Sequence, residues 1–112
     1  MRNAILLPQS DDEGKALENI VYMTLERDLG EEDQVFYFNE TVECDFVVVK
    51  ADHVEQLIQV CWQLDDNNLS REVEGLVAAS SYTGCKNCTI VTYNQQRTID
   101  HDGLSIDVVP VW

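Results

Sequence analysis

Cationic side chains are scarce in this chain. Seven Lys and Arg stand against 21 Asp and Glu, a formal charge of −14 over 112 residues. Nucleic-acid binding draws on Lys and Arg that displace counterions from phosphate. The composition therefore argues against a free-standing DNA or RNA binder and favours a basic protein partner, or a basic neighbouring domain of a longer chain. No apolar run approaches the length of a membrane span. The run Ala4-Ile5-Leu6-Leu7 is too short for a signal-peptide core and stops at Pro8, so a cytoplasmic location away from membranes is expected. There is no G-x-x-x-x-G-K-[S/T] phosphate loop, no internal repeat and no low-complexity tract.

Metal-ligand patterns are equally thin. C-x-x-C occurs once, at Cys85-Lys86-Asn87-Cys88. A structural zinc site normally needs a second such knuckle or a His pair. In a reducing compartment the four cysteines are expected to stay free and to serve as small apolar residues. A redox or metal-sensing module on Cys85 and Cys88 is the minor alternative. His53 and His101 lie in expected turns, and no Ser/His/Asp or Cys/His order stands out. Asn-x-Ser/Thr triplets begin at Asn39, Asn68 and Asn87; in a cytoplasmic chain they carry no meaning.

What is present is one domain, 1–112, with residues 1–10 expected to form an arm. Ser10-Asp11-Asp12-Glu13 matches a capping box, and a helix is expected from about Glu13 to Leu29, with Leu17, Ile20, Val21, Thr24, Leu25 and Asp28 on one stripe and Gly30 as its stop. Gln34 to Asn39 alternates as a strand, with Val35 and Tyr37 opposite Phe36 and Phe38. Two β-branched runs follow, Thr41–Lys50 and His53–Trp62, separated only by Ala51 and Asp52, which reads as a hairpin. Alternation places Glu43, Asp45, Val47 and Val49 on one face of the first run and Cys44, Phe46 and Val48 on the other, while Leu57, Gln59 and Cys61 share a face of the second. A carboxylate between valines is costly unless something pairs with it, so Asp45 demands a partner.

Asp65-Asp66-Asn67-Asn68 then signals the start of a second helix, Leu69 to Tyr82, whose small Ala78, Ala79, Ser80 and Ser81 allow close packing on a sheet. Asn87 to Tyr93 reads as a short strand buried on both faces. Arg97–Asp100 and Leu104–Val111 read as a hairpin around His101-Asp102-Gly103, and Pro110 points to an edge position. The order is α-β-β-β-α-β followed by a β-hairpin.

The segments Glu43-Cys44-Asp45-Phe46, Leu57-Ile58-Gln59-Val60-Cys61 and Ile106-Asp107-Val108-Val109-Pro110-Val111-Trp112 resemble the restriction-endonuclease-like, PD-(D/E)xK, family. More narrowly, they resemble the C-terminal nuclease-like domain of an archaeal and bacterial AAA ATPase family of uncharacterised function. Gly14-Lys15-Ala16-Leu17-Glu18-Asn19 matches that family's Gly-x-x-Leu-Glu-Asn segment. The resemblance implies an α/β fold with an αβββαβ core, a mixed sheet flanked by two helices, and a few further apolar residues beyond Trp112. It also implies a site in which carboxylates hold Mg²⁺ and a Lys assists at phosphate. Asp45 fills the first position, Gln59 stands where the second acid belongs and Cys61 where the Lys belongs, with Glu18 as a leaning helical acid.

Gln adds no negative charge and Cys offers neither a cation nor a hard oxygen ligand, while charge neutralisation is usually the largest catalytic contribution. Lys50 and Arg71 are the cations that could approach from elsewhere. The expected function is therefore a catalytically degenerate nuclease-like module that needs no cofactor. It would act through a protein partner or an ATPase domain. The alternative is an active nuclease using Mg²⁺ or Mn²⁺ on a shifted set of acids, Asp45, Glu43 and Glu18.

Overall fold

The computed structural model describes residues 10–39 and 43–111. Residues 1–9 of the expected arm, the first two residues of the Thr41–Lys50 run, the Asn39 triplet beyond its asparagine and the final Trp112 lie outside the described residues, while Ser10, expected in the arm, opens the first helix. The elements run α1 (Ser10–Arg27), β1 (Gln34–Asn39), β2 (Glu43–Lys50), β3 (His53–Val60), α2 (Leu69–Thr83), β4 (Cys88–Thr92), β5 (Arg97–His101) and β6 (Leu104–Pro110). They form an α/β structure with one six-stranded mixed sheet in the order β1-β2-β3-β4-β6-β5. β1, β2 and β3 are antiparallel neighbours, β4 runs parallel to both β3 and β6, and β5 is antiparallel to β6.

One helix covers each face. Leu17 and Val21 of α1 pack on Phe46, Val48, Ile58 and Val60, with Leu25, Leu29 and Val35 partly buried beside them. The stripe is narrower than the periodicity expects, since Ile20 is 43% exposed. α1 also begins and ends earlier than expected. Its last turn tightens, with Asp28 N–H donating to Leu25 O and Leu29 N–H to Glu26 O, the i→i+3 pattern that closes many helices. On the other face Val73, Leu76 and Ala79 of α2 pack on Val47, Leu57, Ile90, Ile106 and Val108. β4 is buried almost throughout, as a strand with parallel neighbours on both sides should be.

The turns follow their residues. Asp102 and Gly103 both have positive φ, 49° and 84°, the requirement of a two-residue type I′ hairpin. Ala51 sits at φ 58° and its N–H donates to Asp33 Oδ1 at 3.1 Å. Asp33 also accepts from Gly30 N–H and faces Lys50 Nζ at 3.5 Å, which holds its carboxyl below the usual range through the two backbone bonds first. Pro110 does not mark an edge, because β6 lies between β4 and β5. Val111 N–H bonds Thr92 O, so the Pro110 nitrogen points the other way, toward a β5 that begins only opposite Val108. The missing donor is harmless there.

Gly84 closes α2 at φ 80°, ψ 0°, its N–H on Ser80 O. A Cβ there would meet nothing within 4 Å, so the cost of a side chain is conformational alone. Gly84→Ala is expected to lower stability by about 1 kcal/mol, read as a lower urea midpoint with an unchanged slope.

Candidate functional site

β2 enters the sheet through a bulge. Phe36 pairs with Val47, and two residues further along β1, Phe38 pairs with Cys44, three residues back along β2. The extra residue in β2 breaks simple alternation. Cys44 therefore joins Val47 in the core beneath α2, where strict alternation would set the two on opposite faces.

At this bulge side chains take over bonds that a regular ladder would make between backbones. Val60 N–H donates to Asp45 Oδ2 at 2.8 Å. Asp45 N–H donates to Gln59 Oε1 at 2.9 Å. Gln59 Nε2 donates across the layer to Glu72 O of α2 at 3.1 Å. The Cys44 thiol lies 3.6 Å from Ile58 O. Gln59 is 3% exposed, so it ties β2, β3 and α2 together from inside the protein. Asp45 is half-buried, and the partner that its position demands includes a backbone N–H of β3.

α2 brings an acid and a cation to the same place. Glu72 is buried at 7% exposure. Burial, reinforced by the nearby Asp45 charge, pushes its carboxyl up to about 7, against a smaller opposing pull from Arg71. Arg71 Nε lies 3.3 Å from Glu72 Oε2 and is largely exposed. Glu72 belongs to the core-facing positions of α2 together with Val73, Leu76 and Ala79. Its i+3 spacing from Leu69 and i−4 spacing from Leu76 is the sequence signal that would have placed it there. Lys50, the other cation considered, is held by Asp33 beside the β2–β3 turn, at the far end of β2.

Cys61 is a thiol held by its neighbours. Its Sγ donates to Gln63 O at 3.3 Å and accepts from Asn68 Nδ2 at 3.3 Å. Burial first, then the Glu72 charge, pushes it up to about 11. A thiol so disfavoured as thiolate is a poor nucleophile. Asn68 does more than open α2. It also donates to Gln63 O and accepts from Asp65 N–H, pinning the loop over Cys61, and its side chain makes no cap bond to the helix.

The other sequence-derived residues are scattered. Glu18 is exposed on α1, where it lines a shallow hollow with Lys15, Asn19, Tyr22 and Phe46. Glu43 opens β2 opposite Asn39; its side chain lies outside the described residues. His53 and His101 are exposed and face Glu55 and Asp102 respectively. Cys85 and Cys88 are buried in the α2 core, and burial pushes Cys88 up to about 11. Among the described residues no three of His, Cys, Asp and Glu gather closely enough to hold a metal ion. Asp45 Oδ2 and Gln59 Oε1 each accept a backbone N–H. No helix among the described residues is long and apolar enough to cross a membrane.

The fold is α/β, and side-chain hydrogen bonds of Asp45 and Gln59 cross-link β2, β3 and α2. No family model matches the chain, and no solved structure matches it. The chain is similar to an uncharacterised protein, MJ1544, of Methanocaldococcus jannaschii, at 32% identity in an alignment of 111 residues that covers 92% of this chain and 25% of that protein. It thus spans about a quarter of the length of the curated relative it matches.

Proposed function

We propose that this chain is a catalytically degenerate, restriction-endonuclease-like domain that works as an interaction module beside an ATPase or another protein. The observation that carries this reading is the clasp. Asp45, the acid that a nuclease of this kind would keep for its metal, commits an oxygen to Val60 N–H. Gln59, in the place of the second acid, commits both ends of its amide to backbone groups. Cys61 stands in the place of the Lys and is engaged with Asn68 and Gln63. The αβββαβ order with a closing hairpin is compatible with the family's core. The match to one quarter of a longer archaeal protein supports a role alongside other domains.

A second reading, cleavage dependent on Mg²⁺ or Mn²⁺, draws on the Glu72 carboxylate near Asp45, with the Arg71 guanidinium beside Glu72. Incubating the purified chain with supercoiled DNA, linear DNA and RNA in either metal decides between the two. The first reading expects no cleavage above buffer. Metal-dependent cleavage that Asp45→Ala abolishes would overturn it.

A further inference from the structure

The two edges of the sheet are guarded very differently. β5, at one edge, reads Arg97-Thr98-Ile99-Asp100-His101, with three ionisable side chains in five residues. Natural sheets use such charges to discourage strand addition. β1, at the other edge, reads Gln34-Val35-Phe36-Tyr37-Phe38-Asn39. It has no charge, no proline and no glycine, in a chain whose residues are 25% charged. β1 pairs with β2 and with no other strand among the described residues. Its Phe36 is 51% exposed, although its cross-strand neighbour Val47 is 6% exposed. α2 packs over β2, β3 and β4, which leaves Phe36 beyond the helix.

Charge selects the occupant. The approach to β1 is Gly30-Glu31-Glu32-Asp33, and Glu31 and Glu32 are exposed. Among the described residues, Asp33 is the one acid there with a cation beside it, Lys50. The sequence continues after Asn39 with Glu40 and Glu43, so a second copy paired through β1 would bring acidic segments against acidic segments. Two chains of −14 would also repel at long range. A segment with basic flanks meets opposite charge at the strand end and, between, an edge that no other strand pairs among the described residues, with Phe36 exposed on it.

We propose that β1 is the acceptor edge for an extended segment of a partner protein, apolar at alternate positions and flanked by Lys or Arg. The main-chain ladder would supply affinity and the flanks selectivity. This names the partner class for the interaction-module reading and rests on it.

The probe is a capped peptide of alternating Thr and Val with two Lys at each end, titrated into the intact chain by fluorescence anisotropy. The expected result is saturable binding. Glu in place of the four Lys should weaken it at least tenfold, and N-methylation of the ladder-forming amides should abolish it. Phe36→Ser in the protein should weaken it several-fold, with amide protection gained along Gln34–Asn39 when the peptide binds the unaltered chain. Absence of binding by the Lys-flanked peptide, or equal binding by the N-methylated one, overturns the proposal. So does sedimentation as a dimer that Phe36→Ser dissociates. These outcomes leave the interaction-module reading standing, which falls separately if the chain cleaves nucleic acid.

Discussion

Replacing Gln59 by glutamate, the change that would put an acid back at the second site position, is expected to destabilise the fold by about 3 kcal/mol or more. Gln59 Nε2 donates to Glu72 O, and a carboxylate has no proton to give. The helix carbonyl would face an anion. The new charge would sit at a position now 3% exposed, between the half-buried Asp45 and the buried Glu72, with Arg71 the adjacent cation and itself mostly in water. The loss should shrink at acid pH, where the introduced carboxyl takes up a proton and becomes a donor again. Chemical denaturation measures it directly. Adding millimolar Mg²⁺ or Mn²⁺ makes the experiment sharper, because an ion that bound the folded state would restore stability by mass action. The clasp predicts no recovery; recovery by either ion would show that the site still accepts a metal once the acid is restored, and that the clasp does not by itself preclude one.

Glu72→Gln is expected to act in the opposite direction. The Glu72 carboxyl is raised from 4.5 to about 7 in the fold. Below pH 4.5 it is protonated both folded and unfolded, and its ionisation costs nothing. Between pH 4.5 and 7 the unfolded chain releases the proton while the folded chain keeps it, so stability falls as pH rises. Above pH 7 the whole cost is present, roughly 3 kcal/mol for a displacement of that size. The variant should therefore match the wild type near pH 4, unfold at higher urea at pH 7 to 8, and lack the decline between. The contact with Arg71 that it weakens is a largely solvated one and should offset little. Asp33 cannot imitate this signature. Its carboxyl is lowered, so its contribution is present above 3.8 and fades only as pH falls below that value. A variant no more stable than wild type at pH 8 would show that Glu72 is better solvated than its burial indicates.

The element order could be read from periodicity and turn chemistry because those signals are local. Ala51-Asp52 between two β-branched runs, Asp102-Gly103 between alternating ones, and Gly84 after an apolar stripe each specify a bend within a few residues. Alternation likewise places Leu57, Gln59 and Cys61 on one face, and Leu57 and Cys61 are in the α2 core while Gln59 bonds the helix above it. What escapes depends on partners distant in sequence. The bulge ahead of Val47 is fixed by how β1 registers on β2, and with it Cys44 turns to Val47's side. Pro110 looks like the mark of an edge strand because nothing local reveals that β6 is interior and that β5 merely stops short of Pro110. Glu72 sits at a helical core position that its spacing from Leu69 and Leu76 marks, but its charge invites a solvent-facing assignment.

The sheet order has a consequence for how the chain comes together. The strands before α2 pair among themselves, and so do the strands after it, each through near neighbours in sequence. The two strips are sewn along a single parallel seam, four residue pairs long, between β3 and β4. Trp62 stacks on Tyr93 at 4.4 Å across its far end, like a button at the top of the stitching. Closing that seam requires the excursion from Val60 through α2 to Cys88, the longest loop the sheet must tie. Assembly is thus expected to end where indole meets phenol, and that stack is the natural fluorescent witness to the final step.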